Sequence, residues 1–107
     1  MAESVGQFFT ELPSKIDASK TAGMSSIYQF DISGDNGGQW YVNLNDGKVD
    51  VVNGTAEAPS ITLSTTDENW LKIVSGQLSG QTAFLTGKLK IKGDMSLAMK
   101  LQSIFKI

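Results

Sequence analysis

Apolar residues recur along this chain with two different periods, and the switches between them mark its elements. Val5, Phe8, Phe9, Leu12 and Ile16 return at helical spacing behind Ser4 and Gln7, which read as a capping box. An amphipathic helix therefore opens the chain. Pro13 is expected to end or kink it, because its ring clashes with the preceding turn and it has no N–H to donate. Residues 17–22 suffice for one further short turn before Gly23. From Ser26 to Leu44 the period becomes two: Tyr28, Phe30 and Ile32 alternate with Gln29 and Asp31, then Trp40, Val42 and Leu44 with Tyr41 and Asn43. Between these strands, Gly34-Asp35-Asn36-Gly37-Gly38 predicts a hairpin loop, since glycine and asparagine tolerate positive φ. It joins two strands and not a strand to a helix, so it is read as a turn and not as a phosphate cradle. Asn45-Asp46-Gly47 leads into a third strand over Lys48 to Val52, and Ala58-Pro59 precedes a fourth over Ser60 to Ser64. These four strands are expected to form a meander.

Thr65 with Glu68 signals the start of another helix, whose apolar face is Trp70, Leu71, Ile73 and Val74 and which Gly76 closes. Gln77 to Thr86 reads as a second short helix carrying Leu78, Ala83, Phe84 and Leu85. From Lys88 to Gly93 the chain alternates again, Leu89 and Ile91 to one side and Lys88, Lys90 and Lys92 to the other. Arriving after a helical crossover, this last strand is free to pair parallel to a neighbour. Asp94 is placed to cap the final helix, Met95 to Phe105, at the positive end of its dipole.

That final helix is unusually apolar. Met95, Leu97, Ala98, Met99, Leu101, Ile104 and Phe105 cover an arc of roughly 220° at about 100° per residue, twice the stripe of an ordinary surface helix. Ser96, Lys100 and Ser103 form its polar strip. One sheet face cannot cover so wide an arc. A second apolar partner is needed: more of the same chain, a second copy, or a hydrophobic ligand.

The run from Ala83 to Gln102, with Phe84, a GKLKI strand, a GDM turn and an LAMKLQ helix, resembles the C-terminal signature of the sterol carrier protein type 2 family, the nonspecific lipid-transfer proteins. The stretches FDISGDNGGQWYVNLNDGKVDV and APSITLSTTDENWLKIVSGQL resemble the middle of the same domain, so the likeness extends over most of the chain. Ser96 stands where the family has a glycine, one small residue for another. The resemblance implies one α+β domain over residues 1–107, with a five-stranded, mostly antiparallel sheet, helices packed on one face and a lipid-binding tunnel between them.

Composition narrows the chemistry. The chain has 107 residues, 40% hydrophobic and 19% charged, enough apolar content for a folded core. It has no cysteine, hence no disulfide, thiolate nucleophile or thiolate metal site. It has no histidine, hence no imidazole base for a Ser–His–Asp triad and no imidazole metal ligand. Neither metal nor cofactor is expected. With a net charge of -2 and no arginine, nucleic acid is not an expected partner. Lysines do gather late: Lys88, Lys90, Lys92, Lys100 and Lys106 face only Asp94 after residue 87. This is either a solvated, protected sheet edge or a contact surface for anionic headgroups. No apolar run approaches a membrane span. The N-terminus lacks the succession of a secretory signal, and the C-terminal Ser103-Ile104-Phe105-Lys106-Ile107 does not match a peroxisomal S-K-L address, so a cytoplasmic location is expected.

Two functional readings result. In the first the domain binds and carries a lipid, a fatty acid, an acyl-CoA or a sterol-like molecule. Phe84, Met95, Leu97, Met99, Leu101 and Phe105 are then the expected cavity lining, with Trp40 and Trp70, and the Gln102 amide either meets a headgroup or satisfies the helix end. Such a protein is a monomer or weak homodimer that touches membranes transiently. In the second, the same apolar helix buries itself against a partner as an interaction or dimerisation module. An enzyme is not expected: Asp67 with Glu68 reads as a helix cap, Asp35 and Asp46 as turn formers, and Ser79 lacks the G-x-S-x-G elbow.

Overall fold

A computed structural model describes residues 4–105, apart from the side chain of Gln102. Lys106 of the late lysine cluster and the Gln102 side chain therefore lie outside the described residues. The elements are α1 (Val5–Lys15), α2 (Ala18–Thr21), β1 (Ser25–Ser33), β2 (Gly38–Asn45), β3 (Lys48–Asn53), β4 (Ile61–Thr66), α3 (Asp67–Val74), α4 (Gly80–Leu85), β5 (Lys90–Gly93) and α5 (Met95–Phe105). Ser4 caps α1 by accepting from the Gln7 N–H at 3.1 Å. The helix runs on through Pro13 to Lys15, so proline does not end it. Leu12 lies fully buried beside Pro13, and the packed face holds the helix together where propensity alone would have broken it.

The sheet order is β3-β2-β1-β4-β5. Hairpins join β1 to β2 and β2 to β3, the latter through Asp46 and Gly47, both at positive φ, as a tight reversal requires. The expected meander stops there. β4 does not extend it beside β3 but pairs parallel to β1 on the far side, Tyr28 opposite Ile61 and Phe30 opposite Leu63. β5 then pairs antiparallel with β4, Leu63 opposite Ile91, and not parallel. The sheet is thus mixed, mostly antiparallel, with one parallel pair.

The return from β3 to β4 is the segment 54–60, which must recross the sheet. Gln29 on β1 anchors it. Its amide oxygen accepts from the Ala56 N–H at 2.8 Å, and its Nε2 donates to the Gly54 carbonyl at 3.2 Å and to Asp31 Oδ1 at 3.1 Å. Gln29 is only 2% exposed, yet its polar atoms are matched, so its burial carries no unpaired cost.

The other sheet face carries Tyr28, Phe30, Ile32, Val42, Leu44, Ile61 and Leu63 into the core, against Val5, Phe8, Phe9 and Leu12 of α1 and Trp70 and Ile73 of α3. Phe9 sits at its centre, stacked on Trp40 at a centroid distance of 5.2 Å and close to Phe30 and Trp70. α3 is capped by Thr66, which accepts from the Asn69 N–H at 3.1 Å. Thr65, the expected cap, is instead a buried residue of β4, and its hydroxyl donates to the Lys88 carbonyl at 2.7 Å.

Candidate functional site

The wide apolar arc of α5 is split by the fold. Leu97, Leu101, Ile104 and Phe105 are buried in the core, while Met95 is 47% and Met99 83% exposed. Two devices set this rotation. Asp94 Oδ1 accepts from both the N–H and the hydroxyl of Ser96, at 2.9 and 2.6 Å, which fixes the first turn. The Tyr28 hydroxyl donates to the Leu97 carbonyl at 2.7 Å, tying β1 to that same turn. The Ser96 hydroxyl and then its N–H hold the Asp94 carboxyl below its ordinary range against desolvation, with lesser help from the Leu97 N–H and Lys100. Burial foremost, and the Asp94 charge after it, push the Tyr28 phenol up to about 12.

α4 approaches from the other side. Ser79 caps it by accepting from the Thr82 N–H at 3.0 Å. Only Ala83 of this helix is buried, leaving Phe84 40% and Leu85 73% exposed. Its C-terminal turn is closed by Gly87 at φ +79, after which the Lys88 and Leu89 N–H groups both donate to the Ala83 carbonyl, at 2.8 and 3.0 Å. Leu89 is thereby driven into the core and β5 is set along the sheet edge.

Between α4, β5 and α5 lies a groove of about 430 Å³, lined by Gly80, Gln81, Phe84, Leu85, Leu89, Ile91, Met95, Ala98, Met99 and Leu101. Gln81 is the one polar side chain in that lining. The volume is that of a small-molecule pocket, and a nearly unbroken apolar wall suits a hydrocarbon, which needs shielding from water and no directional contact. A second, more open depression of about 580 Å³ lies where β1 and β4 end, among Asp31, Ser33, Ser64, Thr66, Asn69, Lys88 and Lys90. Hydroxyls, a carboxylate and ammonium groups stand in its wall beside Ile32, so it is the more polar of the two.

Phe84, Met95, Met99 and Leu101, read from the sequence as cavity lining, meet in the groove. Leu97 and Phe105 point from α5 into the core, where the Phe105 ring packs 5.0 Å from Tyr28 and 5.5 Å from Phe30. Trp40 stacks on Phe9, and Trp70 is fully buried among Phe8, Phe9 and Phe30. The Trp70 Nε1–H is buried without a hydrogen-bond partner among the described residues, in an aromatic nest and away from the groove lining. Sequence reasoning missed Leu85, Gln81, Leu89, Ile91 and Ala98. The adjacent apolar pair Phe84-Leu85 before Gly87 was the available signal, since a short helix with one buried Ala83 cannot hide both.

Among the described residues there is no cluster of acidic, histidine or cysteine side chains able to hold a metal, and no helix is long and apolar enough to cross a membrane.

Comparison with known proteins agrees with this architecture. The hydroxysteroid dehydrogenase-like protein 2 of Xenopus tropicalis is 35% identical over 97 residues, 90% of this chain but 23% of that protein. The human counterpart is 39% identical over 80 residues, 74% of this chain and 19% of its own length. The chain thus spans about a fifth of the curated relatives it matches. Among solved structures, palmitated SCP2L2 from Aedes aegypti superposes with a TM-score of 0.76 at 27% identity, covering 94% of this chain and 92% of that one. Residues 6–106 match the SCP-2 sterol transfer family throughout, and the chain belongs to that family.

Proposed function

We propose that the protein binds a hydrophobic lipid, a fatty-acyl chain or a sterol-like molecule, in the groove between α4, β5 and α5, and carries or presents it in the cytoplasm. The observation that carries this reading is the groove itself: about 430 Å³ with a single polar side chain in its wall. Phe84, Met95, Met99 and Leu101 contact the ligand, with Leu85, Ile91 and Ala98 completing the wall. Each methylene taken out of water contributes roughly 0.8 kcal/mol. Affinity then accumulates along the chain without a specific headgroup contact, and the adaptable thioethers of Met95 and Met99 conform to different cargoes. Gln81 supplies the amide available to a carboxyl or hydroxyl at the rim. Leu97 and Phe105 are packed into the core on the inner side of α5, outside the groove lining. The palmitated relative supports the ligand class.

The test is native mass spectrometry of gently purified protein followed by titration with a fluorescent fatty acid. Co-purified lipid, or saturable one-to-one binding that Met99→Glu weakens without unfolding, is the expected result. Folded protein without saturable binding refutes the reading.

A second reading is favoured by the lengths of the relatives, in which a domain like this one is about a fifth of a longer chain. There it serves as an accessory module beside another domain, with α5 and α4 as the contact. An empty protein of dimeric mass would favour that reading.

A further inference from the structure

We propose that the polar depression at the ends of β1 and β4 is a second binding site, separate from the groove, for a small ligand that joins an ammonium group to a doubly charged anion, an aminoalkyl phosphate being the simplest. The site goes beyond the cargo reading and does not depend on it.

Strand register builds it. Gln39, Asp31, Ser64 and Lys90 lie opposite one another on β2, β1, β4 and β5, so they form one row across the sheet. Alternation about Phe30, Leu63 and Leu89, all buried in the core, turns that row to the face away from the helices. Lys88 falls on the same side as Lys90, and both line the depression of about 580 Å³. Neighbouring strands stand about 4.8 Å apart, so the Asp31 and Lys90 backbones are separated by about 10 Å with Ser64 between them. A carboxylate and an ammonium group thus stand on either side of a hydroxyl.

The polar groups of this wall are left open. Neither Lys88 nor Lys90 forms an ion pair among the described residues, where the pairs are Lys15 with Glu11 on α1 and Lys72 with Glu68 on α3. The Ser64 hydroxyl and the Asn69 side-chain amide, both half-buried, have no hydrogen-bond partner among the described residues. Asp31, by contrast, is positioned: one carboxylate oxygen accepts from the buried Gln29 amide at 3.1 Å, which leaves the other for a ligand. Asp67, at the start of α3, is not in the wall, and its oxygens accept from the Asn36 and Glu68 N–H groups at 3.0 and 2.8 Å.

Charge then selects the ligand. The wall holds two ammonium groups and one carboxylate, so its complement carries two negative charges and one positive. The anionic end lies between Lys88 and Lys90, with the Ser64 hydroxyl and Asn69 amide as further donors, and the ammonium end meets Asp31. A bare dianion fits less well because Asp31 repels it. A divalent cation fits worse, since it would find one carboxylate beside two ammonium groups.

The experiment is titration of the isotope-labelled full chain with O-phosphoethanolamine at low salt, followed by amide NMR shifts, with inorganic phosphate and ethanolamine as its two halves. Saturable shifts are expected at Ser64, Thr66, Asn69 and Lys90, and each half should bind about tenfold more weakly or worse, the loss of one charge-assisted contact. The double variant Lys88→Gln, Lys90→Gln should lose about tenfold or more in phosphoethanolamine affinity. Asp31→Asn keeps an oxygen for Gln29 and should move the two probes in opposite directions: phosphoethanolamine weakens, while inorganic phosphate, relieved of repulsion, tightens. The same spectra report that both variants are folded, and their fatty-acid affinity is expected to be unchanged, since none of these residues lines the groove. No saturable shift at millimolar probe, equal affinity for phosphoethanolamine and inorganic phosphate, or an equal response of both probes to Asp31→Asn overturns the proposal. So does saturation that the double lysine variant leaves unaltered, because the probe would then sit elsewhere. Wild-type protein that binds phosphoethanolamine but no fatty acid sinks the cargo reading and leaves this site standing.

Discussion

Replacing Tyr28 by phenylalanine should make the protein less stable at neutral pH and more stable than wild type in strong alkali. The hydroxyl is buried and donates to the Leu97 carbonyl at 2.7 Å, so its removal forfeits one internal hydrogen bond, about 1 kcal/mol net. Alkali reverses the order. In the unfolded chain the phenol loses its proton near 10.0, whereas in the native protein it holds it until about 12, because burial and the Asp94 charge both oppose a phenolate. Between those values the native state binds more protons than the unfolded state, so stability falls as pH rises. The contribution is fully present below pH 10 and largely gone by pH 12, a loss of roughly 2 to 3 kcal/mol at about 1.4 kcal/mol per pKa unit. Tyr28→Phe has no such group. Its unfolding free energy, measured by urea titration at steps from pH 7 to 12, should start about 1 kcal/mol below wild type and cross it between about pH 10 and 11. Other groups that titrate in this range, the lysines above all, are common to both proteins and cancel in the difference. A gap that stays constant with pH would refute the argument, since it would mean that the phenol ionises equally well in both states.

The remaining predictions concern the frame around the groove. Gly93→Ala should destabilise by at least about 1 to 3 kcal/mol in chemical denaturation, because the residue sits at φ +119 and an added Cβ would lie 2.6 Å from the Ser60 carbonyl oxygen and 2.9 Å from Ile61 Cα. Phe9→Ala, which empties the centre of the aromatic cluster, should cost about 3 to 5 kcal/mol by the same measurement. Gln29→Leu leaves the Ala56 N–H and the Gly54 carbonyl without their side-chain partner and should cost on the order of 2 kcal/mol, with faster hydrogen exchange confined to the segment 54–60. Asp94→Asn should shrink the fall in stability at low pH: a carboxyl held below its ordinary value stabilises above its unfolded pKa, and that stabilisation is lost as pH falls through the native one.

Local signals in this sequence were legible because local physics decides them. The Ser4 cap, the Asn45-Asp46-Gly47 reversal and the Asp94 cap each need only neighbouring residues, and each stands in the structure as the spacing predicts. The meander was misread because strand partners are not set locally: Ser60 to Ser64 alternates correctly whichever neighbour it takes. One clue to the crossover was present. The chain between Asn53 and Ile61 is longer than the two to five residues of an ordinary hairpin turn, and it has no helix of its own. Pro13 does not end α1 for the opposite reason: its local penalty is real but is outweighed by the buried stripe of the helix.

The site was half legible, and α5 explains which half. A helical wheel reports how wide an apolar arc is, but not where a neighbouring chain cuts it. Here the cut falls between Leu97, Leu101, Ile104 and Phe105 on one side and Met95 and Met99 on the other, made by the Tyr28 hydroxyl and the Asp94 cap that fix the rotation of the helix. The residues left uncovered are methionines, flexible and polarizable, whereas the covered ones are branched or aromatic and pack to a fixed shape. The same division runs through α4, which buries Ala83 and leaves Phe84 and Leu85 facing out. Uncovered apolar surface on two helices astride one edge strand is costly in a chain of this size unless something covers it for part of the time. A fatty-acyl chain lying in the groove, as proposed above, would do so.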